Sequence, residues 1–379
     1  MRRTLSCVFL ALSACSSGNV GGVPPGKDGG GAPADGRSAD VVAPSCKASS
    51  VKGIHVGAFG AGINPLDPLG YPPYAIDGCT LVYLAPATGG QTWGELLRRD
   101  LSTGAEARLA PSSEMPRRPS VAGDFVAWEA VVGGASVVRV AQGTTTTTLS
   151  GPFDHAGEPR ATTDAVAFTA WLGPADTSNT DVYLYLPASR KLVAVATGRG
   201  QQRFADVSPT LVAVSDFSED PTGVFSATEH RNADIVVFDR GTLVKTVRHL
   251  PGKQAFPMLS SGSRLGYLDW GLVTPEPKFS AYIVRVGEVT SDPTTDANVK
   301  GSGQVQTNTP WVRPSVNGDV IVWVDDSTST GGLFTRPLDL SRPAVSTLGG
   351  QDLLEPVAAL TLSVVVTPAS GFTLEGVAR

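Results

Sequence analysis

Apolar residues along this chain come in short runs of four to eight positions, alternating or continuous. Examples are "FVAW" (Phe125–Trp128), "DVYLYL" (Asp181–Leu186), "KLVAVA" (Lys191–Ala196), "DIVVFD" (Asp234–Asp239), "AYIVRV" (Ala281–Val286) and "VIVW" (Val320–Trp323). Runs of this length, rich in β-branched and aromatic residues and bounded by Gly, Asp and Pro, predict strands. No stretch keeps a 3.6-residue apolar period between helix caps, so helices are not expected.

The runs belong to a larger repeat. "RPSVAGDFVAW" (Arg118–Trp128) and "RPSVNGDVIVW" (Arg313–Trp323) agree almost letter for letter. Weaker copies begin at Pro72, Glu158, Arg203, Phe256 and Glu355. The proline position falls at Pro73, Pro119, Pro159, Ala205, Pro257, Pro314 and Pro356, at intervals of 40 to 57 residues. Seven copies at this period predict a propeller or solenoid array. Proline lacks an N–H, so it marks the entry of a strand. "AGD" and "NGD" suit a tight hairpin turn. A second strand, a variable loop, a third strand and a fourth strand complete a four-stranded antiparallel sheet. The aromatic residues ending the second strand (Tyr83, Trp128, Phe168, Tyr267 and Trp323) are expected to pack between neighbouring sheets.

Radial stacking protects the edges and apolar faces of such sheets. The expected fold is therefore all-β: one β-propeller of seven four-stranded blades, six being the other count considered. The last copy has room for only three strands, so Ser49–Phe59 is expected to supply the fourth and close the ring. The unit "RPSVAGDFVAW…DVYLYL" resembles the TolB-like periplasmic propeller repeat over about residues 72–366. That resemblance implies a propeller working in the cell envelope.

The N-terminus adds an address. "MRRTLSCVFLALSACSSG" has a positive start, a short apolar stretch and small residues, as in an export signal. Leu12-Ser13-Ala14-Cys15 resembles the bacterial lipobox, which implies a signal peptide over residues 1–14, acylation of Cys15 and a lipid bilayer as partner. Ser16 stands where a retention signal would show Asp, which by the same analogy implies the outer membrane. Residues 15–44 carry the lipidated cysteine and a Gly/Pro-rich stretch with no apolar period, read as a tether. The propeller is expected over 45–379. Cys46 and Cys79 remain as an even pair in an oxidising compartment. A disulfide is expected there, two buried thiols being the alternative.

Charge and composition narrow the function. The net charge is −5 and only 17% of residues are charged, with no basic stripe, so nucleic acid is not an expected partner. The four histidines (His55, His155, His230 and His249) show no ligand spacing, and no GxSxG, Walker or GxGxxG motif stands out. No cofactor is expected. One constellation is a candidate: Asp216, Asp269 and Asp325 follow the second strand at the same place in three consecutive copies, with Glu129 nearby. Such a mouth could hold calcium, greet a basic partner, or simply cap strand ends. The expected function is non-catalytic: a binding or scaffold module for an envelope protein, peptide or glycan. The alternative is a glycan hydrolase or lyase using the mouth carboxylates.

Overall fold

The computed structural model describes residues 46–57, 71–89, 91–173, 178–220, 222–224, 232–271, 281–306, 312–327, 331–349, 353–358, 362–367 and 372–378. The chain divides into two units, residues 1–42 and 43–379, and the described residues belong to the second. The signal peptide, Cys15 and the tether lie outside the described residues. No helix among the described residues is long and apolar enough to cross a membrane.

The described residues form seven sheets in sequence order, each with its strands paired antiparallel to their chain neighbours. Their first strands are Tyr74–Asp77, Arg117–Ala122, His155–Ala161, Gln202–Val207, Lys253–Leu259, Ser315–Asn317 and Leu354–Ala358. Each first strand packs beside the next, and the seventh packs beside the first, so the array is a closed ring. These are the seven blades that the repeat predicts. Helical content among the described residues is three short 3-10 turns, Ala48–Ser50, Ser112–Glu114 and Pro293–Thr295.

The last blade has three strands from its own segment. The N-terminal segment supplies the fourth: Gly53 N donates to Leu374 O (3.0 Å), Leu374 N to Ile54 O (2.9 Å) and Val56 N to Phe372 O (2.9 Å). The pairing covers 53–56 of the Ser49–Phe59 strand expected: Ala48–Ser50 turns as a 3-10 helix instead, and residues 58–59 lie outside the described residues. Cys46 and Cys79 are joined by a disulfide, with Cα atoms 5.4 Å apart. The bond ties the closing segment to blade 1.

The repeated phrase is now physically legible. Its tryptophans are fully buried, Trp128 against Val82, Leu84 and Leu96 of blade 1 and Trp323 against Trp270 and Tyr282 of blade 5. Phe168, Tyr267 and Tyr83 fill the same kind of interface in blades 3, 5 and 1. Truncating one such aromatic costs about 3–5 kcal/mol. The serine of "RPSV" links blades: Ser120 Oγ accepts from Ala161 N (3.0 Å), and Ser315 Oγ accepts from Ala358 N (3.2 Å). Asp206 holds the equivalent position in blade 4 and accepts from Leu259 N of blade 5 (2.7 Å). The turn glycine Gly123 has φ +56, and its N–H donates to Asp77 of blade 1 (2.7 Å).

Candidate functional site

Five of the seven first strands carry a register shift around the marker position, between Arg117 and Ser120, Gly157 and Arg160, Arg203 and Asp206, Ala255 and Met258, and Leu354 and Val357. The residue before the marker is left-handed in four of them: Arg118 (φ 52°), Glu158 (56°), Phe204 (55°) and Phe256 (59°). Such bulges re-aim side chains at a cost of order 1–3 kcal/mol per strained residue. Here they bring residues of different blades together at the ring's inner strands. Arg118, Glu158, Phe204 and Phe256 meet there, and Arg313, which also precedes its marker proline, joins them.

The first layer of this axial group is a closed ion network. Glu158 is almost fully buried. It takes an ion pair from Arg203, a hydrogen bond from Phe204 N (3.3 Å), one from Thr169 Oγ1 (3.2 Å) and one from Tyr71 OH (3.2 Å). Burial alone would raise its carboxyl; Arg203 and Arg118 outweigh that and hold it at about 2. Glu129 is fully buried beside it. It accepts from Arg117 Nε (2.8 Å), Arg118 Nη1 (2.8 Å) and Glu158 N (3.2 Å). A Cβ at Gly157 would fall 2.4 Å from the Glu129 carboxylate, so glycine admits this approach.

Tyr71, just ahead of blade 1, packs among the axial residues with 2% exposure. Its ring meets the guanidiniums of Arg118 (5.3 Å), Arg160 (5.2 Å) and Arg313 (4.4 Å). Burial raises its phenol well above the ordinary range, and Glu158 adds to that.

Toward the face of the first-hairpin turns the axis opens. An outer funnel of about 330 Å³ is walled by aliphatic and hydroxyl residues, among them Val121, Thr163, Ser261 and Val316. Arg160 and Asp206 line both it and an inner chamber of about 90 Å³, which Arg313, Tyr74 and Met258 also line. Arg313 is buried against Phe256 (3.7 Å), Tyr71 and Phe204 (5.0 Å). Its Nε and Nη2 have no hydrogen-bond partner. Burial, with Arg160 adding to it, lowers its pKa to about 10, so it remains charged at neutral pH. Among the described residues, neither Arg313 nor Arg160 is ion-paired. Burial raises the Asp206 carboxyl, with Arg160 opposing.

The carboxylates singled out from sequence do occupy equivalent strand ends, but each is held by its own neighbourhood. Asp216 accepts from Gln202 Nε2 (3.1 Å) and Ser218 N (2.9 Å). Asp269 is buried and accepts from Gln254 Nε2 (3.0 Å) and Arg285 Nε (2.5 Å). Asp325 pairs with Lys300 (2.7 Å) and accepts from Gln306 N (3.2 Å) and Ser327 N (3.0 Å). Glu129 belongs to the axial network rather than to their group. His249 Nδ1 lies 2.9 Å from Asp234, and together with Glu219 they bring ligand atoms within 4.8 Å of one another. Their even spacing of 15 residues gives no recognisable motif. The axial residues were missed as well, although a signal was present: a charged or aromatic residue precedes the marker at Arg118, Glu158, Phe204, Phe256 and Arg313.

No family model matches the chain, and no curated protein matches it by sequence. Among solved structures it is similar to the β-propeller domain of the Trilobed protease from Pyrococcus furiosus, which has an open velcro topology (9% identity over 81% of this chain and 94% of that one, TM-score 0.60). It is also similar to the acylaminoacyl peptidase of Pyrococcus horikoshii (9% identity, 81% of this chain and 51% of that one, TM-score 0.57). A third similarity is to TolB from Acinetobacter baumannii (16% identity, 72% of this chain and 65% of that one, TM-score 0.45). The chain thus spans about half the length of the peptidase. At these identities the likeness is one of architecture: the protein is a seven-bladed β-propeller.

Proposed function

We propose that this protein is a non-catalytic binding module of the bacterial envelope, anchored by acyl chains on Cys15 and using its axial funnel to hold a partner. The observation that supports the reading best is the funnel itself, a recess on the axis whose inner end meets the tightly packed Tyr71 group. A blind recess at the hub of a rigid ring suits capture of a protruding segment. The Asp216, Asp269 and Asp325 carboxylates are engaged by structural donors, which favours binding over a pair of catalytic acids. The lipobox reading supplies the anchor, since each buried CH₂ adds ~0.8 kcal/mol.

The test is site-specific photo-crosslinking in cells. A crosslinking side chain at Thr163 or Ser261, on the funnel wall, should give a discrete adduct. The same group at Val244, on the outer edge of blade 4, should give none. Adducts at Val244 with none at the funnel would refute the reading. In the same strain, Cys15→Ala should move the protein from the membrane pellet to the soluble fraction. Continued sedimentation with membranes would remove the anchor from the proposal.

A further inference from the structure

We infer that the inner chamber takes a carboxylate of a peptide chain, seated beside Arg160 and Arg313; this rests on the binding reading above. The first reason is the state of Arg313. A buried guanidinium is ordinarily matched by acceptors, because an unpaired buried donor costs about 1–3 kcal/mol and a charged one more. Arg248, also buried, comes much closer to that expectation: only its Nε lacks a partner, and its other nitrogens donate to Asp296 (2.5 Å), Glu288 O (2.7 Å), Val289 O (2.8 Å) and Ser291 O (2.9 Å). Arg313 has aromatic rings around it and two nitrogens without acceptors.

Arg160 is the second reason. It occupies the blade 3 position that Ser120 and Ser315 fill in blades 2 and 6, where those serines link blades. In place of that link it puts a second guanidinium on the chamber wall. The carboxylates facing these cations are accounted for. Asp206 gives its Oδ2 to Leu259 N (2.7 Å) and attracts Arg160 without forming an ion pair with it, Glu158 is engaged by Arg203 and the network beyond Tyr71, and Asp77, at the outer wall, accepts from Gly123 N (2.7 Å). A carboxylate seated in the chamber would bring a counter-charge beside both guanidiniums that line it, and guanidinium is the side chain best shaped to grip one.

Shape selects a peptide over a sugar. The chamber, about 90 Å³, is smaller than the roughly 150 Å³ that accommodates a benzene ring. Among the described residues the outer funnel has no aromatic side chain in its lining, so they offer no platform for stacking a sugar ring. An extended chain ending in a carboxylate needs neither.

The probes are three acetylated alanine–serine hexapeptides: one with a free C-terminal carboxylate, its amide, and an amide carrying one glutamate. Calorimetric titration of the purified full chain at low salt should detect binding of at least one carboxylate-bearing peptide. The neutral amide should bind at least tenfold more weakly. Which acid binds identifies the source, chain terminus or side chain. Arg160→Met and Arg313→Met should each weaken binding tenfold or more, and Arg160, half-buried where Arg313 is buried, gives the variant that disturbs the core less. Equal binding of acid and amide, or no binding of any peptide, would overturn the inference. Discrete funnel crosslinks alongside such a result would leave the binding reading standing.

Discussion

The propeller axis holds two groups of charged residues that differ in how far their charges are matched. Around Glu129 and Glu158, carboxylates and guanidiniums meet in a closed network with backbone N–H groups filling the remaining acceptor sites. Among the described residues lining the chamber with Arg160 and Arg313, Asp206 is the one carboxylate, and its Oδ2 already serves Leu259 N. Both groups draw on the bulged first strands, Arg313 excepted, since the first strand of blade 6 pairs without a register shift. The difference therefore lies in the side chains that individual blades place there, and it separates a structural layer from one left open for a ligand. A buried charge that is fully paired resists change, whereas an unpaired one signals a missing counterpart.

The largest expected effect tests the structural layer. Glu158→Gln should destabilise the fold by about 3–5 kcal/mol, because it strands Arg203 and weakens the Tyr71 seat. Urea denaturation followed by tryptophan fluorescence would measure this. The same carboxylate predicts an acid limit. Its pKa is about 2 in the folded chain against a usual 4.5. Its contribution is therefore present above about pH 4.5 and is lost as pH falls through about 2, below which both states are protonated. A variant as stable as the wild type, or one with unchanged acid unfolding, would mean that the network is decorative.

How much of this was legible in the sequence follows from what repeats and what does not. The blades were readable because Trp128 and Trp323, Ser120 and Ser315, and the turn glycines do the same job in each copy, and the job is local. The closing strand was readable because the last copy ran short. The axial site was not readable, because its meaning lies in the departures between copies. Arg160 stands where a serine is expected, and Glu158 and Phe204 stand where Arg118 and Arg313 suggest arginine. A left-handed bulge also reverses which side chain faces the axis, and alternation alone does not announce that. The Asp216, Asp269 and Asp325 series was conspicuous for the opposite reason. It repeats because each strand end needs a turn-capping acceptor.

A middle-sized effect tests the frame that keeps both layers in register. Cys46 and Cys79 are separated by 33 residues and tie the closing segment to blade 1. Cys46→Ser should lower stability by about 3 kcal/mol on loop entropy. Reductant should lower the wild type to the same level and leave the variant unchanged. Identical melting of oxidised and reduced wild type would show that the hydrogen bonds of residues 53–56 close the ring unaided.

The smallest expected effect bears most directly on the contrast between the layers. Arg313→Met removes a cation whose Nε and Nη2 have no partners and replaces it with an apolar chain of comparable reach. Two terms oppose each other. Loss of the contacts with Tyr71, Phe204 and Phe256 costs roughly 0.5–2 kcal/mol as cation–π attraction. Relief of an unpaired, desolvated charge returns about 1–3 kcal/mol. The net should lie within about 1 kcal/mol of wild type, and on the stabilising side if it departs from zero. Denaturation run beside Glu158→Gln gives the comparison in one experiment. A loss as large as that of the Glu158 variant would place Arg313 in the structural layer. Retained stability with lost affinity for the acidic peptide would mean that the cation is held in place for its ligand, because folding does not require it.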